Sequence, residues 1–114
     1  MHELSIAMEI LDIVRRESRS HGARTVLKVR LRIGDLSGVE TDSLAFSFDA
    51  VKGEDPLTAG AGLDIERIPV RILCHSCEKE FTAGGHMVTC PSCEGFDTTL
   101  LQGEELEIAD IEID

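Results

Sequence analysis

The four cysteines of this chain fall into two pairs, Cys74-His75-Ser76-Cys77 and Cys90-Pro91-Ser92-Cys93, and none is left over. Each CxxC turn offers two thiolates to one cation. Two such turns make a tetrahedral S4 cage, the geometry zinc favours. Residues 78–89 separate the pairs, a gap shorter than the ~15–20 residues of the usual double-CxxC pattern. Disulfides would suit a secreted chain, yet no apolar stretch follows a basic N-terminus. A thioredoxin-type redox pair needs a single CxxC at a helix start after a strand, whereas both pairs here lie in turn-like sequence and Pro91 follows Cys90. The expected use is a closed structural metal site. Such a zinc has no open position for a substrate, and no nucleophile–base pair stands out elsewhere, so an enzyme is not expected.

A second set of donors lies at the start, Met1-His2-Glu3. His2 is bulky, and initiator methionine is normally removed only before small residues, so Met1 should stay. A free amine, the backbone amides of residues 2 and 3, and an imidazole then sit within one turn. Square-planar Ni(II) and Cu(II) favour such nitrogen donors. The first four amides of a helix have no intrahelical acceptor, so a metal that replaces their protons breaks no helix bond. Two deprotonated amides also cancel the charge of a divalent ion that would otherwise oppose the helix dipole. The Glu3 side chain, or another acid brought near by the fold, could add to this. An ordinary polar helix start, with Glu3 favouring the dipole, accounts for the same residues, and spacing alone does not separate the two.

These donors need elements to hold them. Leu4, Ala7, Met8, Leu11 and Val14 recur at helical spacing, flanked by Ile6, Ile10 and Ile13. The helix should stop near His21-Gly22, with His21 as a dipole partner there. Residues 25–33 alternate: Leu27, Val29, Leu31 and Ile33 point one way, and Lys28, Arg30 and Arg32 the other. After the turn Gly34-Asp35-Leu36-Ser37-Gly38, Thr41 can cap a short helix whose apolar surface is Leu44, Phe46, Phe48 and Val51. The Gly- and Pro-rich loop 52–62 lacks the ending of a P-loop, so nucleotide binding is not expected. A second strand should run over residues 63–73, with a bulge or edge near Pro69 where its apolar parity changes. A last strand over 106–114 changes parity near Ala109-Asp110, where a bulge is expected. Strand, helix, strand implies a right-handed crossover between parallel strands, and the last strand should join the same sheet. There Glu107 or Glu112 would face the basic residues of the first strand. The expected class is α+β, a small mixed sheet with two helices plus an inserted zinc-ribbon-like lobe. Residues 1–70 and 98–114 form one discontinuous domain and 71–97 the metal lobe.

Composition bounds the partners. The net charge is −11, from 11 basic and 22 acidic residues, which argues against a nucleic-acid backbone as partner. No apolar run is long enough to span a membrane, and free thiols in metal-type spacing fit a reducing, cytoplasmic setting. Trp and Tyr are absent and Phe numbers only four, so the core must be aliphatic. A lobe of roughly 30 residues cannot bury enough surface to fold alone, and metal binding would supply its folding energy.

The chain resembles the HypA/HybF family of hydrogenase nickel-incorporation proteins over essentially its full length. The resemblance rests on Met1-His2-Glu3-Leu4-Ser5, on residues 33–40 (Ile-Gly-Asp-Leu-Ser-Gly-Val-Glu), on Leu44-Ala45-Phe46, on the two CxxC pairs and on Ile111-Glu112-Ile113-Asp114. It implies a cytoplasmic metallochaperone that delivers Ni(II) as cargo to [NiFe]-hydrogenase large-subunit precursors, together with a nickel-handling GTPase. A homodimer is compatible with it. It places nickel at Met1, His2 and Glu3, with Glu40 nearby, and a structural zinc at Cys74, Cys77, Cys90 and Cys93. The domain of residues 1–70 and 98–114 is then the nickel-binding one. Many members carry glycine directly after the last cysteine, whereas here Glu94 precedes Gly95. His75 and His86 read as surface or supporting histidines; a sharper reading has them exchange with a cysteine on the zinc. The alternative function is a zinc-ribbon interaction module with no nickel transfer role.

Overall fold

The computed structural model describes residues 2–83 and 89–114. Elements follow in the order α1 (Glu3–Ser20), β1 (Val26–Gly34), α2 (Thr41–Val51) with a short 3-10 turn (Lys52–Glu54), β2 (Gly62–Ile68), β3 (Val70–Cys74), β4 (Glu80–Ala83), β5 (Thr98–Gln102) and β6 (Leu106–Ile113). Two three-stranded sheets result, ordered β2-β1-β6 and β4-β3-β5. By backbone contacts the chain forms two compact units. One comprises Met1–Arg32, Val39–Glu66 and Glu107–Asp114; the other comprises Ile33–Gly38 and Arg67–Leu106. The class is the expected α+β with small mixed sheets.

In the first unit α1 packs against α2. Its buried stripe is Ala7, Ile10, Leu11, Val14 and Ser18. Leu4 and Met8, expected in that stripe, are exposed on its margin. The helix stops as its sequence requires. The Gly22 N–H bonds Arg19 O at 3.0 Å and the Ala23 N–H bonds Ser18 O at 3.0 Å, a closure that needs the left-handed φ of +72° at Gly22. The His21 ring nitrogen Nδ1 lies 2.9 Å from Glu17 O, among the last carbonyls of the helix. In α2, Leu44 and Phe48 are one turn apart and buried, but Phe46 lies two residues from each, off that buried face, and is 77% exposed. The cap of α2 is Glu40, whose carboxylate accepts from Asp42 N–H at 2.9 Å. The expected cap, Thr41, is already the first helical residue.

Val29, Leu31 and Ile33 are buried as the alternation predicts, but Leu27 is exposed and Val26 is buried, so the phase changes at the strand's start. The β1–β2 pair is parallel: Val26 N–H bonds Leu57 O just before β2, and Asp35 N–H bonds Ile68 O at its end. The β1–β6 pair is antiparallel, since Asp114 N–H bonds Thr25 O and Gly34 N–H bonds Glu105 O. The expected charge pairing across these strands is present: Arg30 reaches Asp110 (2.7 Å) and Glu112 (3.1 Å), and Arg32 reaches Glu107 (3.0 Å) and Glu66 (3.5 Å). Ala109 and Asp110 are both exposed between half-buried Ile108 and Ile111, which marks the parity change in β6. Arg15 and Arg19 are tied down internally. Arg15 donates to Thr58 Oγ1 at 3.1 Å, and Arg19 pairs with Asp55 at 2.6 Å.

In the second unit the expected single strand over residues 63–73 divides. Pro69 has no N–H for a ladder, so β2 ends at Ile68 and β3 begins in the other sheet. β3 pairs antiparallel with both β4 and β5, Cys74 lying opposite Thr98. By this pairing residues 98–102 sit in the cysteine-bearing sheet. The turn after β1 is stitched to the strand ends of this unit, with Leu36 N–H on Gly103 O at 2.7 Å and Arg67 on Asp35 at 3.2 Å. Gly34 is required here because a Cβ would lie 2.1 Å from Gly103 O and 2.6 Å from Glu104 N. Gly34→Ala is therefore expected to cost at least about 2 kcal/mol in urea unfolding. Gly60→Ala, where an added Cβ meets nothing within 4 Å, should leave stability within about 0.5 kcal/mol of the parent.

Candidate metal centre

Cys74 closes β3, and the other three cysteines stand in the turns that follow. The two pairs are built alike. Cys74 N–H bonds Lys79 O at 2.9 Å and Cys90 N–H bonds Gly95 O at 3.0 Å, each reaching five residues ahead. The residue after the second cysteine of each pair is left-handed, with φ of +61° at both Glu78 and Glu94. The four sulfurs lie within 4.8 Å of one another. Cys74 Sγ is 3.6 Å from Cys93 Sγ, and Cys77 Sγ is 3.7 Å from Cys90 Sγ. A tetrahedron with Zn–S bonds of about 2.3 Å has edges of ~3.8 Å, so the donor set fits zinc in number, type and spacing. All four cysteines are free thiols.

The electrostatics favour a cation at the centre. Cys90 is held down at about 6 by the backbone N–H groups of Cys93 and Ser92, which point at its sulfur. For Cys93 the Gly95 N–H acts in the same direction. It is outweighed by the Cys74 thiol, burial and the Cys77 and Cys90 thiols, which push the group up to about 12. Four thiolates this close repel one another, and a divalent ion removes that penalty and deprotonates the coordinating thiols. Cys74 and Cys90 are buried and Cys93 is exposed. His75 stays out of the cage: its ring Nε2 is 2.5 Å from Thr99 Oγ1. His86 lies outside the described residues.

The other donor set is in the first unit. His2 occupies the cap position of α1 with its side chain exposed, and its carbonyl accepts from Ile6 N–H at 2.8 Å. The neighbouring Glu3 is half-buried, and its Oε2 accepts from the Glu40 backbone N–H at 3.0 Å. That bond holds the Glu3 carboxyl below the usual carboxylate range. The fold thus brings Glu3 and Glu40, 37 positions apart, to one place where two helices begin. Met1 lies outside the described residues. Beside these residues, Glu3, Leu4, Asp42 and Phe46 line a cavity of about 450 Å³. The two-residue offset of Phe46 from Leu44 and Phe48 is the sequence signal of its exposure.

Residues 1–113 match the family model described as hydrogenase/urease nickel incorporation, metallochaperone, hypA. The chain belongs to the HypA family. It is 43% identical to a hydrogenase maturation factor HypA of Geobacter metallireducens, all of both chains being covered. It is 36% identical to the HypA of Dehalococcoides mccartyi over all of this chain and 95% of that one. In fold it is similar to the solution structure of the Ni metallochaperone HypA from Helicobacter pylori, with a TM-score of 0.69 and 22% identity over 99% of this chain and 97% of that one. A second HypA solution structure gives a TM-score of 0.73, again at 22% identity, over 99% and 96% of the two chains. No helix among the described residues is long and apolar enough to cross a membrane.

The left-handed residues of the HypA metal lobe give a test. A side chain at φ of +61° costs about 1–2 kcal/mol that glycine avoids. Glu94→Gly should raise the stability of the zinc-loaded protein by about 1 kcal/mol in thermal unfolding. Glu94→Val should lower it by more than that.

Proposed function

We propose that this chain is a nickel metallochaperone that delivers Ni(II) during maturation of [NiFe]-hydrogenase, with zinc held by Cys74, Cys77, Cys90 and Cys93 as a structural ion. The observation that carries the reading is the meeting of Glu3 and Glu40 beside His2, at the starts of α1 and α2. Nickel is the cargo. The amine of Met1, the amides of His2 and Glu3 and the His2 imidazole supply nitrogen donors. The α1 amides there have no intrahelical acceptor to lose. Glu3 and Glu40 add negative charge that helps a divalent ion tolerate two positive helix ends. His2 is exposed, so a recipient can displace one donor at a time. Modest affinity follows from that exposure.

The domain built from residues 1–70 and 98–114 carries the nickel, and the lobe of residues 71–97 carries the zinc. Family membership supports two partners, a nickel-handling GTPase and the hydrogenase large-subunit precursor, in the cytoplasm. The exposed Leu4, Met8 and Phe46 supply apolar contact area near the nickel donors for one of them. The chain carries cargo and has no enzymatic step of its own. A second reading, a zinc-ribbon interaction module without nickel transfer, draws on exposed Phe96 and Leu101 in the cysteine-bearing unit. It expects partner assays to be indifferent to His2.

Calorimetric nickel titration separates the readings. His2→Ala should weaken nickel binding at least about tenfold while the zinc content stays at one ion per chain. Lowering the pH should weaken nickel binding to the parent protein too, because protons compete for the same nitrogen donors. Equal nickel affinity in parent and variant would leave only the zinc-ribbon reading.

A further inference from the structure

Nickel handling leaves unused a trough between the C-terminal half of α1 and strand β6. It measures about 430 Å³; Ile13, Ile108, Ile111 and Ile113 form its aliphatic wall, and Glu17 and Asp110 contribute carboxylates. All four isoleucines are only half-buried, so the wall is not closed over. Ser18 also lines the trough and is 2% exposed, and its hydroxyl is the one buried side-chain N or O atom without a hydrogen bond among the described residues. An unpartnered buried hydroxyl is costly. Strand β6 is the outer strand of its sheet, so one row of its backbone N–H and C=O groups has no strand beside it. An open apolar trough, an unsatisfied hydroxyl and an unpaired strand edge therefore coincide.

We propose that this edge takes an extended, cationic segment of a partner protein as an added strand beside residues 110–113. Backbone bonds to β6 would give affinity, and every second side chain of the added strand would enter the trough and cover Ile111 and Ile113. A polar tip on one of them, such as a threonine hydroxyl, gives Ser18 its partner. Charge selects the class. Asp110 and Glu112 share the single guanidinium of Arg30, which leaves one negative charge uncompensated. Glu17, exposed on α1, has no ion pair among the described residues and adds another. A second copy of this chain is the wrong occupant, because pairing β6 with itself sets Asp110 and Glu112 against the same carboxylates. The parity change at Ala109-Asp110 restricts the added strand to a short one.

The test uses the full-length, zinc-loaded, 15N-labelled protein. Its probe is a capped heptapeptide alternating lysine with valine and threonine. Saturable amide shifts centred on residues 108–113 and 17–21 are expected. Replacing the peptide's lysines by glutamates, or methylating its alternate backbone nitrogens, should each weaken binding about tenfold or more. Glu17→Lys, an exposed change, should weaken the cationic peptide and not the fold. The proposal is overturned by shifts that do not saturate or that map elsewhere. It is equally overturned by equal binding of the N-methylated peptide, or by peptide-free, concentration-dependent shifts in β6 that show copies of the chain pairing there.

Discussion

The hydrogen bond from the Glu40 backbone N–H to the Glu3 carboxylate fixes the starts of two helices beside each other. The packing of α1 against α2 already sets the two helices side by side, and this bond joins their first turns. With it, the donors at the N-terminus share their surroundings with a second carboxylate that the sequence places 37 positions away. Glu40 is committed twice over, since its N–H holds Glu3 and its side chain caps α2 through Asp42. A divalent cation at two positive helix ends needs such negative charge, and the fold supplies it without a dedicated cage.

The cysteine site follows the opposite logic. Its donors come from two turns of the same construction, the backbone N–H groups of Cys93 and Ser92 prepare Cys90 as a thiolate, and the sulfur spacing matches one tetrahedral ion. Cys74 and Cys90 are buried there, and His75 is occupied with Thr99. The four cysteines offer one set of soft ligands, whereas the donors proposed for nickel are amides, an imidazole and carboxylates.

Much of this was legible in the sequence because it rests on short-range rules. Two CxxC pairs announce a cage, Gly22 ends a helix, the alternation of residues 28–33 marks a half-buried strand, and its basic residues pair with acids of the last strand as read. What was misread depends on contacts between distant elements. Leu4, Met8, Leu27 and Phe46 are apolar residues that pattern alone assigns to the core, yet each sits where packing leaves a flank uncovered. Thr41 is the better capping residue by type, but α2 begins one residue earlier than that reading and Glu40 caps it through Asp42 N–H. Pro69 reads as a bulge or edge within one strand, and in the structure it separates β2 in one sheet from β3 in the other. The left-handed Glu78 and Glu94 carry no sequence signal, since glycine is the residue such a conformation favours.

In the proposed function, nickel is bound through the amine of Met1 and through His2, independently of the four cysteines. Nickel-edge X-ray absorption on the protein with and without one extra residue ahead of Met1, alongside zinc quantification, tests it most directly. The extension should abolish the nitrogen-rich nickel signature of the parent while zinc stays at one ion per chain. An unchanged nickel spectrum in the extended protein, or one dominated by sulfur, would contradict it.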